Sequence, residues 1–278
     1  MQQHRFGRVL QNVWDWRAAG NFMFGGTGSS LLFLVGLFSF PEVPLPLIGL
    51  TALFFVAMGL FLVWLEIGRP LRFINVYFNP WTSWMSREAF VAVVVFVLAL
   101  LGIVLELPLV TLLGGIAGLF FLYCQARILK ASKGVPAWRE PAIMQLIPVT
   151  GLAEGAGLLL LMNALLGVSN QGLLLLFVAL LVLRIWAWSY YKKQLVIHEA
   201  PEGALAELKK INLLTLVAGN ILPLLLCVAF IKANSFPFLL TIAGALAVLA
   251  GWLIKFTIVT KAAHYQGFAI MKRKRVKT

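Results

Sequence analysis

Charge is what this sequence has least of. Only 12% of its 278 residues are Asp, Glu, Lys or Arg, while 61% are hydrophobic; a soluble domain carries charge on roughly a quarter of its positions. That shortage excludes a soluble globular domain and calls for lipid where a charged surface would be. Acidic residues are the scarcest, 10 Asp plus Glu against 23 Lys plus Arg, for a net charge of +13. The basic residues fall between apolar runs instead of in one patch, a topology signal that argues against nucleic acid. Cysteine is nearly absent. Cys124 and Cys227 both sit inside apolar runs, so no disulfide framework and no iron–sulfur cluster is expected in this chain. His4, His198 and His264 all fall in termini or loops, whereas membrane haem needs axial histidines within helices. Haem is therefore not expected. The sequence has no Walker loop, HExxH zinc site or Gly-x-Ser-x-Gly elbow, and no metal site is predicted. Trp14, Asp15, Trp16 and Arg17 interrupt the start of the chain where a leader would need a continuous apolar run, so a cleaved leader is not expected either.

What the chain does contain is a series of apolar segments near the length of about 20 residues that a spanning helix needs. Eight are predicted, over 21–40, 45–67, 88–107, 109–130, 143–166, 171–191, 211–231 and 235–258. Pro41 to Pro46, Glu106-Leu-Pro108 and Asn234-Ser-Phe-Pro237 supply turn chemistry for tight connections, as does the stretch near Asn170. The connections over 68–87, 131–142 and 192–210 are longer and polar, the last predicting a short surface helix from Pro201 to Lys210. The fold class is thus all-α, a polytopic integral membrane protein with eight transmembrane helices in two four-helix bundles, one domain over 1–278. Of the 23 basic residues, all but Lys232 fall on one side of these helices. By the positive-inside rule that side is cytoplasmic, with both termini and the three long loops. The basic run Lys272-Arg-Lys-Arg275 belongs to it.

An ionisable residue at the bilayer centre costs roughly 2.5–3.5 kcal/mol, so each one asks for a reason. Glu154 lies well inside the fifth segment, within Gly151-Leu-Ala-Glu-Gly155-Ala-Gly157, where glycines permit close helix contact. It is either a structural carboxylate, neutralised by protonation or paired with Arg184 of the sixth segment, or a group on a proton route. Lys255 is expected to snorkel to the cytoplasmic edge. Glu66 and Glu88 flank the loop 68–87 in a stretch that also holds Arg69, Arg72, Arg87, Asn75 and Asn79. A quinone headgroup needs donors at its carbonyls and a group that relays protons, and Glu66, Arg69 and Glu88 meet that need as catalytic and quinone-binding candidates. The alternative is an interfacial loop anchored by Trp81, Trp84 and snorkelling arginines. A different class also fits the composition: a secondary transporter with a midplane site at Glu154 and Arg184.

Residues 62–90 carry a more particular pattern. The Glu66-Ile-Gly68-Arg69-Pro70 turn followed by Ser83-Trp84-Met-Ser86-Arg87-Glu88 resembles the NrfD, polysulfide reductase and DMSO reductase anchor subunits. Phe24-Gly-Gly26-Thr-Gly28-Ser resembles that family's glycine-rich first helix, and Lys133-Gly-Val-Pro136-Ala-Trp138 with Pro141 its loop between helices four and five. The resemblance implies a membrane anchor that exchanges electrons between a quinone, menaquinone or ubiquinone, and an iron–sulfur subunit. That partner would serve a molybdopterin catalytic subunit holding molybdenum or tungsten. Glu66 falls where the DMSO reductase anchor has a histidine implicated in the quinol site, and Glu88 where the family also has a glutamate. Asn21, Tyr123 and Gln125 are implied as further headgroup hydrogen-bonding residues. One departure matters: DMSO-reductase-like relatives carry their catalytic subunits outside the cytoplasm, whereas the positive loops here place the motif-bearing side inside. That orientation resembles the sulfite-oxidising and phenylacetyl-CoA:acceptor oxidoreductase branches, and implies a bacterial or archaeal cytoplasmic membrane.

Overall fold

Local chemistry marks where the helices begin. In the computed structural model, which describes residues 6–42, 44–233 and 237–270, the Asp15 side chain accepts from the Arg17 N–H at 2.8 Å and caps α1 (Trp16–Ser39). Proline at the first turn, where its missing N–H has no helical partner to lose, opens α2 (Pro46–Glu66) and α4 (Pro108–Ala131). Ser83 caps α3 (Trp84–Val104) through the Ser86 N–H, and Asn170 caps α6 (Gln171–Ile197) through the Leu173 N–H. With α5 (Ile143–Leu165), α7 (Glu202–Lys232) and α8 (Phe238–Lys261), the described residues contain eight helices long and apolar enough to cross a membrane.

The predicted fold class holds, with shifted boundaries. α1 starts at Trp16 and α3 at Trp84, each four or five residues earlier than apolar content alone predicts, because capped polar turns precede the apolar stretches. The surface helix predicted over Pro201–Lys210 is instead the first part of α7, which runs unbroken from Glu202 to Lys232. Its opening turns bury Ala204 and Leu208 and turn Glu202, Lys209 and Lys210 outward, a half-polar pattern that masks the continuity. The long connections are also structured, with a 3-10 helix over Pro70–Phe78 and a single helical turn over Pro136–Arg139. Trp138 of that turn is buried and donates to the Ile258 carbonyl at 2.8 Å.

α1 is the hub. It packs on α2, α4 and α5, while α8 packs on α5 and α7, so helices α1–α4 and α5–α8 form two four-helix groups joined along α1 and α5. Close approach is what the small residues supply: a Cβ on Gly28 would come within 2.6 Å of the Ala52 carbonyl oxygen, and one on Gly155 within 2.7 Å of the Leu31 nitrogen. One feature has no counterpart in the apolar pattern. β1 (Phe6–Leu10) pairs antiparallel with β2 (His264–Ile270), Leu10 opposite His264. The two strands, one before the first crossing and one after the last, therefore lie together on one face, as an even number of crossings requires. The Lys272–Arg275 run and Asn234-Ser-Phe of the last connection lie outside the described residues.

Candidate functional site

α1, α2, α3 and the Pro70–Phe78 helix enclose a cavity of about 490 Å³ toward the face that carries the β1–β2 pair. Its walls are overwhelmingly apolar, among them Phe22, Phe61 and Trp64, and are broken by the polar side chains of Asn21, Glu66 and Glu88 and the phenol of Tyr77. Two of the wall residues, Phe61 and Trp64, are 48% and 37% exposed and belong to the apolar span of α2. Its size falls within the 300–1,000 Å³ of small-molecule sites.

Each polar group is placed by a particular local feature. Asn21 opens a π-helical segment of α1, Asn21–Gly25, whose widened turn frees a backbone carbonyl. The Asn21 carbonyl accepts from Gln125 Nε2 of α4 at 2.8 Å, and Asn21 Nδ2 donates to Glu88 Oε1 at 3.1 Å. Glu88 is only 6% exposed, one turn into α3. Glu66 ends α2, half-buried, with Oε1 without a hydrogen-bond partner; Asn21 Oδ1 and Gln125 Oε1 are likewise buried without partners. A buried acceptor left unpaired is costly, and at a cavity wall it marks where a ligand's donor would be received.

Arg17 replaces Arg69 beside the cavity. Arg69 is exposed and does not line the cavity, since it caps the outward-facing Pro70–Phe78 helix. Arg17 instead forks onto Asp15 at 2.8 Å and donates to the Leu65 carbonyl at 2.8 Å, holding the end of α2 next to Glu66. Tyr123 also lies away from the cavity. It is 40% exposed and meets Trp84 edge-on at 5.8 Å, in a cluster where Arg87 and Arg127 cover the same indole at 4.1 and 4.4 Å. Trp14, stacked on Trp138 at 4.6 Å, is a wall residue that the motif comparison alone did not single out. The Trp14-Asp-Trp16-Arg17 cluster was the signal for both Trp14 and Arg17.

Deeper in the bundle the expected Glu154–Arg184 pair does not form. Glu154 pairs with Lys255 at 2.6 Å, and both side chains are fully buried. Lys255 therefore does not snorkel: α8 continues through a π-helical turn to Lys261, which places Lys255 inside the packed helices facing α5 and not at the helix end. Thr27 Oγ1 donates to the same Glu154 oxygen at 2.7 Å and accepts from Trp252 Nε1 at 2.9 Å. Gly251 makes the space, since a Cβ there would lie 2.2 Å from Glu154 Oε1. Arg184 is held elsewhere, donating to Asn220 Oδ1 at 2.8 Å, to the Ala247 carbonyl at 2.7 Å and to the Gly219 carbonyl. Neither Glu154 nor Arg184 lines the large cavity.

Among the described residues no group of three or more His, Cys, Asp or Glu is placed to hold a metal ion. The chain matches no protein-family model and no curated protein.

Proposed function

We propose that the chain is a quinone-reactive membrane anchor, passing electrons between the membrane quinone pool and a partner iron–sulfur subunit docked on the basic face. The observation that carries this reading is the cavity: overwhelmingly apolar, between membrane-spanning helices, of ring size, with two carboxylates, an amide and the Tyr77 phenol among its polar groups. A quinone is a lipid-dissolved ring whose conversion to quinol takes two electrons and two protons. The apolar walls suit the ring, and Asn21, Glu66 and Glu88 suit its oxygens. Glu88, buried and steadied by Asn21, holds a proton against one quinone oxygen. Glu66, at the mouth beside Arg17, exchanges the second with water. Arg69 and Tyr123 have no part in this version of the site.

The basic face carries the cavity mouth and both termini, and the positive-inside rule makes it the cytoplasmic face of a bacterial or archaeal membrane. An acidic iron–sulfur partner suits that surface, with a molybdopterin subunit beyond it as the source or destination of electrons. The first test is gentle-detergent purification of tagged chain with identification of co-purifying subunits and analysis for iron, molybdenum and tungsten. A stoichiometric iron–sulfur partner is expected; a stable, metal-free lone chain that binds no quinone-site inhibitor would overturn the proposal. Glu88→Gln is expected to weaken quinone-analogue binding about tenfold, the loss of one well-placed hydrogen bond to a ring oxygen.

A further inference from the structure

A run of buried polar side chains leads from the cavity wall into the bundle, starting from Glu88. Asn21 bonds Glu88, and the next turn of α1 is Gly25-Gly26. A Cβ on Gly25 would lie 3.0 Å from both Asn21 Oδ1 and Gln125 Nε2, and a Cβ on Gly26 would lie 2.5 Å from Lys255 Nζ and 3.0 Å from Gln125 Oε1. The two glycines thus open a seam in which Asn21, Gln125 and Lys255 come within the span of single bridging waters. Lys255 then meets Glu154 at 2.6 Å. Three of the buried atoms without partners, Asn21 Oδ1, Gln125 Oε1 and Glu154 Oε1, are members of this line. Buried polar atoms of that kind are ordinarily satisfied by water.

The line stops at Glu154. Further along α1 the buried residues are Leu31, Leu32, Leu34 and Val35, and beyond Glu154 on α5 come Ala156, Leu159 and Leu160. Ser29 and Ser30 turn back onto the Gly26 carbonyl at 3.2 and 2.8 Å and lead no further. The charged or titratable groups around Glu154 are Lys255 from α8 and, at longer range, Arg184 from α6; α1 offers the Thr27 hydroxyl.

We infer that the Glu154–Lys255 pair is a one-sided proton store, filled and emptied through Gln125, Asn21 and Glu88 from the cavity and closed toward the opposite side of the membrane. A proton leaving the Glu88 carboxyl passes to a water between Asn21 Oδ1 and Gln125 Oε1. That water's proton passes to Lys255 as Lys255 hands its own to Glu154 Oε2. The ammonium–carboxylate pair becomes ammonium and carboxylic acid, gaining the single charge that Glu88 relinquishes its proton to supply. Only O–H and N–H bonds are exchanged, and the whole runs in reverse to return the proton. The store does not depend on what occupies the cavity.

The test is infrared spectroscopy of the whole chain in lipid nanodiscs, following the carboxylic acid band that Glu154→Gln removes. Where that variant fails to fold, the E154Q/K255M double variant, which leaves no lone buried charge, supplies the assignment. In the unmodified chain the band is expected to rise reversibly with acidification and to shift in D₂O. Gln125→Leu and Glu88→Gln are each expected to slow the D₂O shift at least tenfold while leaving the band present. A band that never titrates, or an exchange rate indifferent to both variants, would overturn the store. In oriented proteoliposomes, a pH step applied only on the side away from the termini is expected to leave the band unmoved, and a response would overturn its one-sidedness. Loss of the quinone proposal through absent analogue binding would alter none of these outcomes.

Discussion

Ala19-Gly20-Asn21 in α1 and Ala218-Gly219-Asn220 in α7 are the same three residues, and each asparagine lies in a π-helical turn, Asn21–Gly25 and Val217–Ile221. Both turns offer the asparagine side chain and a freed carbonyl to one neighbouring polar residue or two. In α1 the takers are Glu88 and Gln125; in α7 a single residue, Arg184, takes both the Asn220 side chain and the Gly219 carbonyl. The difference lies in what remains. Arg184 Nε, Nη1 and Nη2 all donate and Asn220 is bonded at both ends, donating to the Thr215 carbonyl at 2.6 Å. Around Asn21, two amide oxygens and a carboxylate oxygen at the cavity are unpaired. One turn closes its polar group into the bundle, and the other keeps its polar groups available. Saturation of hydrogen bonds, more than burial or charge, separates the structural site from the candidate working one.

The largest effect should come from the pair that the α1 side leads to. Lys255→Met leaves Glu154 buried without its counter-ion and is expected to lower stability by about 3–5 kcal/mol, read as a fall in detergent-solubilised unfolding midpoint. The K255M/E154Q double variant should recover most of that loss, and no recovery would mean that the pair is not the source. Arg184→Met strands the Asn220 side chain and two carbonyls. It is expected to cost about 3 kcal/mol while quinone-analogue affinity stays unchanged; a matching loss of affinity would merge the two turns into one site.

The asparagines sharpen the contrast further. Asn220→Leu and Asn21→Leu should each cost about 1–3 kcal/mol, but only Asn21→Leu should weaken analogue binding in a titration. The smallest effect belongs to the cap of α1. Asp15→Ala is expected to cost about 1 kcal/mol. The Arg17 side chain holds the Asp15 carboxyl below its ordinary value. Stability from that interaction is therefore complete above the unfolded value near 3.9 and is lost as pH falls through the lower folded value. With Asp15 and Arg17 41% and 32% exposed, solvent screening keeps this contribution small. Asp15→Asn should remove this acid dependence and keep the cap, and an unchanged acid limb would exclude the interaction as its cause.

The eight crossings were legible because each needs only a long apolar run, a property of consecutive residues. Helix starts were less so, since the capped turns at Asp15 and Ser83 and the half-polar opening of α7 carry little apolar signal. At the cavity, the types of residue were legible and the partners only in part. Glu66, Glu88 and Asn21 do converge, but Arg69, which shares a loop with the carboxylates, does not line the cavity, and sequence proximity is a weak guide to which helix end packs beside which. The same reasoning failed at Lys255. A lysine near a helix end ordinarily reaches for water, and nothing in α8 alone reveals that a glycine seam in α1 and a carboxylate in α5 face it instead. Depth along a helix is readable from sequence, whereas rotation about its axis is set by neighbours.

Glu154 and Lys255 are 101 residues apart in the chain. At about 5–20 residues per second, a ribosome delivers the lysine roughly 5–20 s after the glutamate. During that interval α5 must enter the membrane as a neutral acid or wait at its surface. The last helix to emerge is thus the one that lets the fifth settle, and a chain truncated before α8 should be surrendered to quality-control proteolysis even though seven of its eight crossings are already made.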